Sequence, residues 1–167
     1  QVGALYATLA HWTVSDGEAT VVLPTGTGKT ETMLAVYTHE RLEKLLVIVP
    51  TDALRTQLGG KFQTLGVLKE FGIMAPQALY PHVGYLTKGF ESAADAQDFL
   101  DKSNVVVATM SIIGACSGEA RKVIAEGFSH MFVDEAHHLG ARQWESFGGQ
   151  FQGTTLQFTA TPFREDG

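Results

Sequence analysis

The sequence predicts an α/β domain whose mostly parallel sheet is flanked by helices on both faces. Short apolar runs rich in Val, Ile and Leu recur along the chain and do not alternate with polar residues, as in strands buried on both faces. Stretches with helical spacing separate these runs. A glycine-rich segment follows the first run directly and opens the next helical stretch. Together these observations favour a doubly wound arrangement of strand, helix and strand.

The apolar runs are assigned as strands and the stretches between them as helices. The predicted strands cover residues 19–23, 45–49, 105–108, 131–133 and 155–158. The predicted helices cover residues 29–41, 52–65, 92–101, 118–126 and 141–147. Residues 66–90 contain two prolines, several glycines and weak periodicity, so we expect an irregular connection with a short strand at 82–86. Trp12, Tyr37, Trp144 and Phe147 lie at amphipathic helix positions and are expected in the core rather than as platforms for base stacking.

Length and composition indicate one domain over residues 1–167, with 44% hydrophobic and 18% charged residues. No apolar run approaches the roughly 18 residues of a membrane span, and no signal peptide is visible, so no membrane partner is expected. The single cysteine, Cys116, cannot form an internal disulfide, which favours the reducing cytoplasm. It is expected to be a small buried residue rather than a nucleophile. The net charge of −6 argues against binding nucleic acid over the whole surface, but is compatible with a local groove that contacts phosphates.

Residues 23–30 form the most informative stretch, Leu-Pro-Thr-Gly-Thr-Gly-Lys-Thr. Gly26 and Gly28 let the backbone turn so that its N–H groups point at a phosphate chain, and the following helix adds the positive end of its dipole. Lys29 can reach the β- and γ-phosphates, and the Thr30 hydroxyl can bind Mg²⁺. Leu23 stands where the strict phosphate-loop pattern has its first glycine. The alternative is a glycine-rich turn that carries a lysine at a helix start.

Residues 131–138 read as a buried strand that ends in two carboxylates and two histidines. Because α/β sheets place ligands at the carboxyl ends of their strands, Asp134 is a candidate for holding Mg²⁺, directly or through water. Glu135 is a candidate for orienting or deprotonating an attacking water. His137 and His138 could respond to the state of the γ-phosphate. The alternatives are a polar helix cap and a zinc site, and the second lacks partners at zinc-type spacing.

Three motifs in this order resemble a known family. The phosphate loop, the string Asp-Glu-Ala-His at 134–137 and the string Phe-Thr-Ala-Thr-Pro at 158–162 are similar to motifs I, II and III of superfamily 2 helicases and translocases, the DEAD/DEAH-box group in the broad sense. The resemblance is nearest to the type III restriction enzyme motor subunits. Residues 48–51 and 107–110 resemble motifs Ia and Ib, and Gln1 stands where related proteins carry an adenine-reading Gln. The resemblance implies a RecA-like P-loop NTPase domain.

The resemblance also implies roles for the matching residues. The ATP-binding residues would be Gln1, Pro24, Thr25, Gly26, Thr27, Gly28, Lys29 and Thr30, with Thr30 and Asp134 holding Mg²⁺. The catalytic residues would be Lys29, Asp134, Glu135 and His137, and His137 would act with Thr159 and Thr161 in coupling hydrolysis to movement. Pro50, Thr51 and Thr109 would lie at the nucleic-acid surface, although Thr51 and Thr109 could instead cap the helices that follow them. Arg55 is expected to be a solvated helix residue rather than a ligand.

The resemblance therefore predicts the ATP-binding lobe of a nucleic-acid-dependent ATPase that uses ATP and Mg²⁺. DNA is the favoured track, and RNA is the alternative. A second RecA-like lobe, with the arginine fingers, is expected outside this chain, so the isolated chain should bind ATP weakly and hydrolyse it slowly. A kinase or transport ATPase would need the same phosphate loop but not the second and third motifs. A non-catalytic scaffold would not need an intact Lys29 and Glu135.

Overall fold

The computed structural model describes residues 1–15, 17–24, 26–135 and 141–161. The strands are β1 Ala19–Val22, β2 Leu45–Val49, β3 Val83–Tyr85, β4 Val105–Thr109, β5 His130–Asp134 and β6 Thr154–Thr159. The helices are α1 Val2–Val14, α2 Lys29–His39, α3 Asp52–Thr64, α4 Val67–Glu70, α5 Ala93–Asp101, α6 Met110–Gly114, α7 Gly118–Glu126 and α8 Ala141–Gly148. Within the described chain, no helix is long and apolar enough to cross a membrane.

The six strands form one sheet in the order β1-β6-β5-β2-β4-β3. Every pairing is parallel. The chain therefore returns to the same end of the sheet before each new strand, and the carboxyl ends of all six strands meet at one edge. The strand that precedes the phosphate loop lies two places from the strand that carries Asp134, which brings the two predicted halves of the site together.

Both faces of the sheet are covered by helices, as predicted. Alternate residues of the central strands pack into two separate apolar clusters. On one face Leu46, Ile48, Val106 and Met131 pack with residues of α5 to α8. On the other face the cluster consists of strand residues such as Leu45, Val47, Val107 and Phe132 with residues of α2 and α3. All five residues of β2 are buried, which explains why the strand reads as an unbroken apolar run.

The predicted elements are all present, and their boundaries differ from the prediction by two residues at most. Helix α2 stops at His39, where a left-handed Arg41 (φ 51°) allows the Leu42 N–H to donate to the Tyr37 carbonyl at 3.1 Å. The sequence analysis did not assign α1, α4 or α6. The last two are only four and five residues long, too short to show a helical period.

The core assignments for the aromatic residues and the cysteine are confirmed. Phe147 is buried, Trp12, Tyr37 and Trp144 pack partly buried against the two clusters, and Cys116 is buried. The expectation for Arg55 is wrong, because its side chain is buried rather than solvated and only 8% of the residue is exposed. Arg55 is buried with a partner: its Nη1 donates to Asp52 Oδ1 at 2.6 Å, one turn earlier on α3.

Candidate nucleotide-binding site

The phosphate loop leaves β1 and turns back into α2. The Leu23 N–H donates to the Thr159 carbonyl at 2.9 Å, which ties the start of the loop to β6. The Pro24 carbonyl accepts from the Thr27 backbone N–H at 3.2 Å and from its hydroxyl at 2.6 Å. Thr25 lies outside the described residues. The loop is therefore held at both ends by backbone contacts, and its phosphate-binding role stays a prediction.

Two glycines give the loop its shape. Gly26 has φ 78° and Gly28 has φ 96°, a region that L side chains rarely adopt. Gly28 immediately precedes α2, and no side chain caps the helix there. The first N–H groups of this 11-residue helix thus have no side-chain acceptor, the arrangement that binds an anion at a helix start.

Lys29 lies between the loop and the end of β5. Its Nζ contacts Glu135 Oε1 and is 3.8 Å from Asp134 Oδ1. The three side chains are 13%, 19% and 15% exposed, in that order, so the cation and the two carboxylates meet in a partly dehydrated cleft. The structure thus brings together three of the four predicted catalytic residues. The fourth, His137, lies outside the described residues, as does His138.

The carboxyl group of Asp134 is partly buried and incompletely hydrogen-bonded. Burial raises the pKa of its carboxyl above the usual value, and the nearby Lys29 ammonium opposes that rise. Its Oδ1 atom is buried and has no hydrogen-bond partner among the described residues. Thr30, on the first turn of α2, makes no hydrogen bond through its hydroxyl within that part of the chain. One carboxylate oxygen and one hydroxyl fit Mg²⁺, which takes few protein ligands alongside phosphates and water.

Glu135 is held in an unusual backbone conformation. Its φ is 50°, which is uncommon for a residue with a β-carbon. Its Oε2 accepts a hydrogen bond from the Ala160 N–H at 3.4 Å. Ala160 lies between Thr159 and Thr161, where the Thr159 hydroxyl donates to the Thr161 carbonyl at 2.9 Å and the Thr161 N–H lies 3.3 Å from the same hydroxyl oxygen. The turn after β6 therefore contacts the predicted water-positioning residue.

Gln1 lies against the loop that it was predicted to accompany. Its Nε2 donates to the Thr27 carbonyl at 3.3 Å. A β-carbon added to Gly28 would lie 2.0 Å from the same nitrogen. The Gln1 side chain therefore fills the space beside Gly28, at the outer side of the phosphate loop. Its adenine-reading role stays a prediction.

The predicted nucleic-acid residues follow two neighbouring strands. Val49 at the end of β2 pairs with Thr109 at the end of β4, so Pro50, Thr51 and Thr109 lie at one sheet edge. The Thr51 hydroxyl caps α3 by accepting from the Leu54 N–H at 3.3 Å, and the side chain is exposed. Thr109 precedes α6 but is only 4% exposed, and its hydroxyl lies 3.0 Å from that of Ser111. The capping alternative thus describes Thr51, whereas Thr109 is buried together with its chain neighbours Ala108 and Met110.

Three contacts were missed by the sequence analysis. The Ala160 N–H holds Glu135 through the main chain, which leaves no residue-type signal to recognise. The direct contact of Lys29 with Glu135 could have been inferred, because both follow strands of the same sheet and carry opposite charges. The pairing of Asp52 with Arg55 also had a signal, since residues three apart on a helix are neighbours.

The sequence matches the family described as "Type III restriction enzyme, res subunit" over residues 1–164. Among curated protein sequences, none gives a significant match. Solved structures with a similar fold include the UvsW helicase of bacteriophage T4, at 19% identity and TM-score 0.62, covering 95% of this chain and 50% of that one. The Hef helicase domain of Pyrococcus furiosus has 20% identity and TM-score 0.62, covering 97% of this chain and 33% of that one.

A hypothetical ATP-dependent RNA helicase from Sulfolobus tokodaii has 18% identity and TM-score 0.65, covering 95% of this chain and 46% of that one. The chain thus spans a third to a half of the length of these three proteins. At these identities the likeness shows the fold, and the family match covers almost the whole chain. The chain belongs to the family described as type III restriction enzyme, res subunit, and it shares its fold with part of each of these helicase structures.

Proposed function

We propose that this lobe binds ATP between the phosphate loop and the end of β5, and hydrolyses it to drive movement along DNA. The observation that carries the proposal is the position of Lys29, whose ammonium group lies beside both Asp134 and Glu135. A lysine at the start of a helix, facing two carboxylates at a strand end, can hold the phosphates of a nucleotide against a cation and a water.

The residues of the loop divide the binding of ATP among them. Backbone N–H groups of residues 25–30, which follow Pro24, would surround the phosphates. The ammonium group of Lys29 would neutralise part of the phosphate charge. Thr25 and Thr27 belong to this cradle by position. Gln1, beside Thr27, would contact the purine ring. Each contact uses a group that the fold already holds at the loop.

Thr30 and Asp134 would hold Mg²⁺, which neutralises charge on the phosphate oxygens when bound. Glu135 would accept a proton from the attacking water through its carboxylate, which the Ala160 N–H keeps in place. Coupling of ATP hydrolysis to movement would depend on His137, Thr159 and Thr161. The hydrogen bond between Ala160 and Glu135 supports this link, because the same turn joins Thr159 to Thr161.

The track is proposed to be DNA, contacted through its phosphates at Pro50, Thr51 and Thr109. Family membership supports DNA, because the family is named after a restriction enzyme, a class of enzyme that acts on DNA. Backbone N–H groups at the starts of α3 and α6 suit a phosphate backbone, and such contacts fix position without reading the base sequence. A second RecA-like lobe would complete both the groove and the catalytic site, and the protein would act in the cytoplasm.

Release of inorganic phosphate from ATP tests the proposal, measured on the protein that carries both lobes, with duplex DNA, single-stranded DNA and RNA added separately. Glu135→Gln should lower kcat by about 100-fold or more while leaving nucleotide binding intact, because a neutral amide accepts no proton. Glu119→Gln, the same change at an exposed position on α7, should have no effect. Binding of a fluorescent ATP analogue separates affinity from turnover and should be lost in Lys29→Ala.

The choice of polymer decides the track. Stimulation by duplex or single-stranded DNA above that by RNA supports the proposal, and stronger stimulation by RNA makes this an RNA motor. No stimulation by any polymer, with ATP hydrolysis still dependent on Glu135, would retain the ATPase and refute the nucleic-acid motor. A Glu135→Gln variant as active as the unaltered chain would refute the assigned mechanism.

A further inference from the structure

A cavity lies in the helical layer on the α5 to α8 side of the sheet. It shares no residue with the candidate nucleotide site. It has a volume of about 280 Å³ and lies between α6, α7 and α8. Met110, Ile113 and Phe147 form its apolar wall, and all three belong to the core. Its mouth is lined by Ser146 and Gln150, which are exposed. The cavity thus has an apolar floor and polar groups at its opening.

Arg121 brings an unpaired positive charge to this cavity. Its Nε atom is buried and has no hydrogen-bond partner, and the guanidinium makes no ion pair within the described residues. The next residue, Lys122, differs, because it is exposed and lies 3.9 Å from Glu126. A buried donor without an acceptor carries a desolvation penalty, which a bound anion would remove. The lining residues include no acidic side chain among those described.

The cavity adjoins the sheet edge that the proposed function assigns to nucleic acid. Met110, which lines it, directly follows Thr109, and Thr109 pairs with Val49 at the end of the neighbouring strand. The apolar wall of the cavity therefore begins one residue after the predicted nucleic-acid surface. The chain has a net charge of −6, so binding to a polyanion needs local cations of this kind rather than a basic surface.

We infer that this cavity binds one phosphate group of the nucleic-acid strand, with Arg121 as its cation and Ser146 and Gln150 as further hydrogen-bond donors. The planar guanidinium suits two phosphate oxygens at once. The apolar wall of Met110, Ile113 and Phe147 accommodates the adjoining sugar. The inference rests on the proposed function, since it extends the nucleic-acid surface from the sheet edge to the layer of α6, α7 and α8.

Fluorescence anisotropy tests the inference with a labelled 20-nucleotide DNA strand, its duplex and an RNA of the same sequence. Arg121→Gln should weaken binding about fivefold or more and lower the salt dependence by about one phosphate contact, a change of about 0.7 to 0.9 in the slope of log affinity against log salt. The matched control is Lys122→Gln, which removes the same charge from the adjacent exposed residue. We expect a change of less than about twofold there.

Two further variants keep the result independent of folding. Arg121→Lys keeps the positive charge but loses the planar guanidinium with its paired N–H donors. Its affinity should therefore lie between those of the unaltered chain and Arg121→Gln. Gln150→Glu places a negative charge at the mouth and should weaken binding in the same direction as Arg121→Gln. Because Arg121 has no partner among the described residues, Arg121→Gln should not lower the thermal midpoint. A clearly lower midpoint with unchanged nucleic-acid binding would assign Arg121 a structural role and overturn the inference.

The failure of this inference is distinguishable from that of the proposed function. If the unaltered chain binds nucleic acid and Arg121→Gln behaves like Lys122→Gln, the cavity is not part of the track and the proposed function stands. If the unaltered chain binds the ATP analogue but none of the three polymers, both fail. Loss of polyglutamate binding in Arg121→Gln, with nucleic-acid binding unchanged, would make the cavity a site for an acidic protein segment instead.

Discussion

The ammonium nitrogen of Lys29 contacts the Oε1 atom of Glu135 across the gap between the phosphate loop and the end of β5. The same nitrogen is 3.8 Å from Asp134. In the nucleotide-free protein, Lys29 therefore neutralises the two carboxylates that would act on ATP. The phosphates of ATP would compete with Glu135 for this cation, so binding the substrate would release the residue that acts on water.

Removing that cation should destabilise the nucleotide-free protein. Lys29→Met leaves two carboxylates close together in a partly dehydrated cleft, and we expect the free energy of unfolding to fall by about 1–3 kcal/mol. Urea denaturation followed by circular dichroism measures the change. Lys61→Met, at an exposed position on α3, serves as the control and should change stability by less than about 0.5 kcal/mol. Equal losses in the two variants would contradict the ion pair.

The double variant Lys29→Met/Glu135→Gln tests the coupling of the two residues. Once Glu135 is neutral, loss of Lys29 deprives one carboxylate of this cation rather than two. The double variant should therefore lose less stability than the sum of the single variants, by about 0.5–3 kcal/mol as for other residues in contact. Strict additivity would show that the two side chains act independently.

Two adjacent glycines in α3 should respond in opposite directions to alanine. A β-carbon at Gly59 would lie 2.2 Å from Tyr85 Cε1, whereas one at Gly60 would meet nothing within 4 Å. Gly59→Ala should therefore force α3 away from β3 and destabilise the protein by about 1–3 kcal/mol. Gly60→Ala should stabilise it by about 0.5–1 kcal/mol, because alanine favours a helix interior. Thermal midpoints of the pair decide this, and a shift of the same sign in both would count against the packing.

The two glycines of the phosphate loop give a second matched pair. Gly26 and Gly28 both have positive φ, but only at Gly28 would a β-carbon approach the Gln1 side chain, at 2.0 Å from Nε2. Both alanine variants should lose about 1–2 kcal/mol of stability through backbone strain. Gly28→Ala should also weaken binding of the ATP analogue more than Gly26→Ala, because it displaces Gln1. Adding Gln1→Ala to Gly28→Ala should recover none of the lost affinity if Gln1 contacts the nucleotide, and most of it if Gln1 only obstructs.

His130 should make the protein less stable in mild acid. Burial lowers the pKa of this side chain, which packs against Trp12 at 5.3 Å between ring centroids, while Glu40 opposes the shift. The unfolded chain then binds a proton at a higher pH than the folded one, so stability falls as pH decreases below about 6.5 and levels off below the folded pKa. The thermal midpoint of His130→Gln should fall less between pH 7 and about pH 5 than that of the unaltered protein.

The control for this comparison is His82→Gln, since His82 is an exposed histidine. That change should not flatten the acid limb of the midpoint curve. If His130→Gln and the unaltered protein show parallel curves, the buried histidine does not control acid stability.

The sequence predicts the layers of this fold because its strands are buried on both faces, as β2 shows by its unbroken apolar run. Helix α1 was harder to assign, since its residues Val2–Val14 are apolar or small almost throughout and offer no polar face. The register of Val49 with Thr109 follows from tertiary packing and has no local signal. The burial of Arg55 likewise depends on which face α3 turns to the sheet.

The sequence marks candidate residues wherever residue types suggest the chemistry, and the structure brings Lys29 and Asp134 together beside Gly28. No such mark exists where the main chain supplies the contact. The Ala160 N–H that donates to Glu135 is a backbone group, which nearly every residue type would supply. The left-handed backbone of Glu135 likewise has no signal in its residue type. The roles of all the candidate residues stay predictions, and Thr25 and His137 also lie outside the described residues.

The position of β1 has a consequence for how the protein is made. Among the described strands, β1 pairs only with β6, and Ala19 lies beside Leu156. A chain emerging from the ribosome therefore exposes its phosphate loop early but cannot place β1 until the last strand is synthesised. Such distant pairing slows folding, because a long loop must close first. If the proposed nucleotide site needs β1 in place, the nascent chain should bind nucleotide only after residue 159 has emerged.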